Sequence, residues 1–157
     1  MKAMKKLSYK ALAIVMLSVF TLTSCFDDDV SDNFFNDDPQ VEFNQTSFDT
    51  DYVRSVSLGD GAVTEQVNLI GPHMDQDQTI TFTVDTDNTT AVEGTHFDLN
   101  GGSFVIPAGS SFGDCTVNIL SGAIPAGETR ILVLQLVGNT DIRAAENYKN
   151  LTIRIAP

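Results

Sequence analysis

The chain has 157 residues, of which nine are Lys or Arg and 21 are Asp or Glu, giving a formal charge of −12. Four of the bases (Lys2, Lys5, Lys6, Lys10) crowd into the first ten residues, so from residue 25 onward five bases face all 21 acids, a side-chain charge of −16. No Lys/Arg cluster remains there to neutralise phosphates, which excludes an electrostatic nucleic-acid binder and a basic membrane-surface helix.

The first element is an export leader over residues 1–24. A basic segment, Met1–Lys10, precedes the apolar run Ala11–Phe20. That run is too short for a spanning helix, which needs about 20 apolar residues. It leads into Leu22-Thr23-Ser24-Cys25, which resembles the lipobox of bacterial lipoproteins: a branched or leucyl residue, two small residues and a cysteine. The resemblance implies diacylglycerol modification of the Cys25 thiol, cleavage before Cys25 and acylation of its new amine, with palmitate-type chains. Two or three chains on one residue anchor firmly where a single chain binds only marginally. The membrane so implied is the outer membrane of a Gram-negative cell.

Phe26-Asp27-Asp28-Asp29 follows. An acidic cluster just after a lipidated cysteine resembles the surface-export signal of Bacteroidetes-type lipoproteins, which implies cell-surface display directed by Asp27, Asp28 and Asp29. Residues 25–39 are rich in Asp and Asn, lack periodicity and end at Pro39, so they read as a flexible acidic tether. With Cys25 consumed by lipid, Cys115 stands alone and no intramolecular disulfide can form.

Residues 40–157 show alternation of period two and no amphipathic helix. Val41 and Phe43 alternate with polar neighbours, and Val63, Val67 and Leu69 do so more weakly. Thr79–Val84 is a half-buried strand with Ile80, Phe82 and Val84 inward. Ser103–Ile106 precedes a Pro107-Ala108-Gly109 turn. Cys115, Val117 and Ile119 share one face, which makes Cys115 a small buried hydrophobe. Arg130–Val137 is apolar enough to lie centrally, and Leu151–Ile155 closes the chain. Ala144-Ala145-Glu146 fits one helical turn. Gly and Asn/Asp clusters separate the runs. About seven short strands in some 115 residues predict an all-β fold, an antiparallel immunoglobulin-like sandwich, as the single domain 40–157.

Ala91-Val-Glu-Gly-Thr-His-Phe97, Gly101–Gly109, Thr116–Leu120 and Glu128–Leu136 follow in the order of a Calx-beta domain. The segment Ala91–Leu136 resembles that sandwich, and more closely a Calx-beta-like domain of Bacteroidetes surface lipoproteins. His96 stands where that family has Asp, and Phe97 where it has Tyr. The loop Ser121–Gly127 carries no acid, whereas calcium-binding members have consecutive acids there. The resemblance therefore implies the fold more than the metal site.

Asp85 and Asp87 end a strand on one side, and Glu93 and Asp98 follow in the next loop, a candidate Ca²⁺ set. Calcium wants six to eight oxygens, several of them carboxylates. The competing reading is ordinary solvated turn acids. Gly109-Ser110-Ser111-Phe112-Gly113 matches Gly-x-Ser-x-Gly, but a nucleophile elbow needs a following helix and a later His, and both His73 and His96 lie upstream. His96 is expected to make a local loop hydrogen bond. The resulting expectation is a non-enzymatic, lipid-anchored accessory binding module. By resemblance it captures glycans or nutrients beside outer-membrane uptake proteins, with no cofactor beyond the calcium reading. The alternative is a structural or adhesive module that contacts another protein by an edge strand or its acidic loops.

Overall fold

The computed structural model describes residues 38–157. The leader 1–24, Cys25, the Asp27–Asp29 signal and the tether up to residue 37 lie outside the described residues. Among the described residues no helix is long and apolar enough to cross a membrane.

The seven predicted strands form, and three more join them. In chain order they are β1 (Gln40–Phe43), β2 (Val53–Ser57), β3 (Gly61–Ile70), β4 (Gln78–Val84), β5 (Phe97–Asp98), β6 (Ser103–Ile106), β7 (Phe112–Ile119), β8 (Arg130–Gly138), β9 (Arg143–Ala144) and β10 (Asn150–Ala156). One layer runs β2-β10-β8-β4-β6 and the other β1-β3-β7-β5. The two-residue strand β9 pairs with β8 on one side and with β1 on the other, so it stitches the layers along one margin. Only β2 with β10 and β1 with β9 run parallel; the other pairs are antiparallel as expected.

The N-terminal strand changes layers. β1 pairs with the far half of β3, Val67–Ile70. The single-turn helix α1 (Asn44–Phe48) then carries the chain across, and β2 pairs with β10 in the opposite layer. The buried Thr46 fixes this crossing: its hydroxyl donates to the Phe43 carbonyl at 3.0 Å. The expected helical turn at Ala144–Glu146 is replaced by β9 and a hydrogen-bonded turn closed by Tyr148 N–H to the Ala145 carbonyl at 3.1 Å. The pairing of Arg143 and Ala144 with β1 outweighs the weak helical preference of two alanines.

Alternation decides what faces inward. Leu132, Leu134 and Leu136 of β8 meet Leu151, Ile153 and Ile155 of β10 and Ile80 and Phe82 of β4 from one layer. Val63, Val67, Leu69, Cys115, Val117 and Ile119 face them from the other, in one contiguous cluster. Each such side chain contributes about 1.5–3 kcal/mol on burial. Strand β8 lies between β10 and β4, central as its apolar sequence predicts. The acids go elsewhere. Asp49, Asp60, Asp77, Asp85 and Asp98 each accept a backbone N–H at a turn, at 2.7–3.1 Å. A third of the 15 acids in residues 40–157 are thus turn chemistry.

Candidate functional site

A concavity lies where β9 meets β1. Ala145 N–H donates to the Val41 carbonyl at 2.9 Å and Phe43 N–H to the Tyr148 carbonyl at 3.0 Å, which lays Arg143–Tyr148 along β1. Between that segment and the outward side chains of Gln40, Glu42 and Ile70 is a groove of about 370 Å³. Arg143 stands at its rim, its Nε donating to Asp38 Oδ2 at 2.7 Å and its Nη2 ion-paired with the same oxygen at 2.6 Å. This contact raises the guanidinium above its ordinary value, and the exposed pair adds little stability. Glu146 accepts from Lys149 Nζ at 2.7 Å, which holds its carboxyl below the usual range. Sequence reasoning missed this groove, because the pairing of β9 with β1 is long-range and both strands are short.

A second, smaller hollow of about 240 Å³ lies at the end of β4, lined by Val84, Thr86, Thr89, Ala91, Glu93 and Phe97. Of the predicted calcium carboxylates Asp85, Asp87, Glu93 and Asp98, only Glu93 lines this hollow. Asp85 accepts the Asp87 N–H at 3.1 Å and the Asn88 side-chain amide at 2.8 Å, and Asp98 accepts the Asn100 N–H at 2.8 Å. Among the described residues no group of three His, Cys, Asp or Glu side chains could hold a metal ion. A spacing of two puts carboxylates on one side of an extended strand, but β4 ends at Val84 and the chain turns there.

His96 is buried and makes the local bond expected of it: its Nδ1 accepts the Val92 N–H at 2.9 Å. His73, exposed, comes within 2.6 Å of Ser111 Oγ, the central serine of the Gly-x-Ser-x-Gly match. Ser111 opens onto strand β7 and no helix follows, so the pair ties the β3–β4 loop to the β6–β7 loop.

The interior holds one residue that the pattern does not account for. Glu65 sits at an inward position of β3, only 7% exposed, between Val63 and Val67. Its Oε1 has no hydrogen-bond partner and lies 3.5 Å from Arg54 Nε of β2. Burial pushes its carboxyl above the usual range, against the pull of Arg54. Directly across the ladder is Cys115, whose thiol is pushed up to about 12, first by burial and then by the Glu65 charge. Iodoacetamide at about pH 8, near the ordinary thiol value, is therefore expected to leave Cys115 unmodified in the native chain and to label it after denaturation. Rapid native labelling, located by peptide mapping, would contradict the burial.

The two-layer β-sandwich has the fold of Calx-beta domains. The chain is similar to the structure titled "Crystal structure of CBD12 from CALX1.2", with a TM-score of 0.56 and 15% identity over 74% of this chain and 44% of that one. It is similar also to "Crystal structure of Apo-form Calx CBD1 domain", with a TM-score of 0.56 and 14% identity over 76% of this chain and 98% of that one. At these identities the likeness is one of fold, and the chain spans under half of the first of the two. A family described as "Domain of unknown function (DUF4843)" matches residues 42–156, and the chain belongs to that family. No curated protein matches it.

Proposed function

We propose that the chain is a lipid-anchored surface module that captures a ligand in the β1–β9 groove without transforming it. The observation that carries the capture reading is the groove's lining. Gln40, Glu42, Arg143 and Asn147 offer amide, carboxylate and guanidinium groups beside the Tyr148 ring and the apolar Ile70. Sugar hydroxyls pair with such planar polar groups, and a sugar's C–H face packs on an aromatic ring. A volume of about 370 Å³ is at the small end of ligand sites and suits about one or two sugar units. The substrate class is therefore a glycan, in keeping with nutrient capture on an outer membrane. A glycan array is expected to give reproducible carbohydrate signals that Arg143→Ala and Tyr148→Ala weaken at least tenfold. Uniform silence on the array, with both variants folded, would remove the reading.

The anchor rests on Leu22-Thr23-Ser24-Cys25, which stands 15 residues before β1 begins at Gln40. Cells given labelled palmitate are expected to transfer label to the chain and to lose it entirely in Cys25→Ser, which should also release the protein from the membrane. Undiminished label in that variant would end the lipoprotein assignment. Accessibility of the domain to protease added to intact cells tests display at the surface.

One observation favours a second, adhesive reading. β2 and β6 are the outer strands of their layer, so each presents a backbone edge to which another chain's strand can add. Capture of outer-membrane proteins without any glycan signal would favour it.

A further inference from the structure

We propose that the loop end of the sandwich is locked by the chain's own side chains and is therefore indifferent to calcium. A Ca²⁺ site there needs several converging carboxylates. Asp85 and Asp98 instead cap their own turns, and no three candidate ligands gather among the described residues. The donor set does not fit the ion.

The order that an ion would impose is present by other means. β4 stops at Val84, yet the edge of β8 beside it is not left bare. Asp85 N–H donates to the Val133 carbonyl at 2.9 Å, and the N–H groups of Thr90 and Ala91 both donate to the Ile131 carbonyl at 2.8 and 2.9 Å. In return, Val133 N–H donates to Thr89 Oγ1 and Ile131 N–H to Thr90 Oγ1, both at 2.9 Å. Two threonine hydroxyls thus stand in for the carbonyls of a missing strand. They satisfy β8 donors that would otherwise need water or another partner.

The neighbouring loop, Leu120–Thr129, is fixed to this one directly. Leu120 N–H donates to the His96 carbonyl at 2.9 Å. Because the Val92 N–H donates to His96 Nδ1, that ring nitrogen is the acceptor, and Nε2–H faces the Ala123 carbonyl at 3.4 Å. Gly122 lies so near Thr95 that a Cβ would meet its carbonyl oxygen at 2.1 Å, a backbone approach that only glycine permits. Hydroxyl, imidazole and backbone contacts therefore hold both loops in place of carboxylates around a cation.

The test compares thermal unfolding and amide exchange of the purified chain in EDTA and in millimolar calcium. The expected result is one melting temperature and one exchange pattern over residues 85–98 and 120–129 in both. A calcium site filled to about 100 times its dissociation constant would raise the melting temperature of a domain this size by about 10 °C. Such a rise, or slowed exchange confined to those loops, overturns the proposal. The nearly isosteric variants Thr89→Val and Thr90→Val test the lock itself. Each is expected to speed exchange at one amide, Val133 and Ile131 respectively, by about tenfold, with no restoration by calcium. Unchanged exchange in both, or recovery on adding calcium, also overturns it.

Discussion

At about pH 7 the Glu65→Gln variant is expected to unfold about 5 °C above the parent, and its advantage is expected to vanish below about pH 4. Glu65 is an inward side chain of β3 whose Oε1 lacks a hydrogen bond and whose charge is met only by Arg54 at 3.5 Å. Desolvation raises its folded-state value above that of the unfolded chain. The native state therefore holds this proton more tightly than the unfolded state does. The stability tied to that proton is fully present below the unfolded value and is lost as pH rises through the folded one. Glutamine mimics the protonated carboxyl at every pH, so its benefit grows across that window. Arg54→Ala is expected to act in the opposite direction at neutral pH, by about 2 kcal/mol, because it strands a buried charge. Half of Arg54 is exposed, which keeps the loss below that of a fully buried pair. A Glu65→Gln variant that melts lower than the parent at neutral pH would refute this account of the core.

Gly138→Ala is expected to cost about 3 kcal/mol or more and to lower the melting temperature by about 12 °C. Gly138 ends β8 with φ at +91°, where an L side chain is strained. A Cβ there would meet the Ile142 carbonyl oxygen at 2.2 Å. The clash falls where β8 hands over to β9: Gly138 pairs with Arg143, and its carbonyl accepts the Thr81 hydroxyl at 2.7 Å across a bulge in β4. Asn139 closes the same turn, its Oδ1 accepting from Asp141 and Ile142. Displacing this corner moves the Arg143–Tyr148 wall of the groove, so ligand capture is expected to fall with stability. Calorimetry of the variant, with glycan binding measured on whatever folds, checks both. A melting temperature within a degree or two of the parent would mean that the corner yields easily and positions nothing.

The strong strands were legible because a half-buried strand has to alternate. Ile80 and Phe82, Leu132, Leu134 and Leu136, and Leu151, Ile153 and Ile155 declare their inward faces by alternation, and all are buried. β2 was not legible. Only Val56 of its five residues is buried, and it is held in place by its parallel pairing with β10, nearly 100 residues on. Glu65 weakened the pattern of β3 by placing a carboxylate at an inward position. The groove was hidden for a different reason: its two sides, Gln40 with Glu42 and Arg143 with Tyr148, are about 100 residues apart in the chain. The paired acids Asp85 and Asp87 suggested convergence because sequence spacing assumes that a strand continues, and β4 does not.

The sequence by itself determined the class of fold, the inward faces of the long strands, the burial of Cys115 and the local role of His96. Each of these follows from near neighbours, through a period of two or a short loop. Composition added an acidic domain, and the structure shows that five of its acids cap turns. Only the tertiary structure decided that β9 stitches the two layers, that the half-exposed Arg54 reaches the buried Glu65, and that two threonines complete the edge of β8. Those outcomes depend on which distant segments pack together, and a linear pattern specifies what each segment buries without naming its partner.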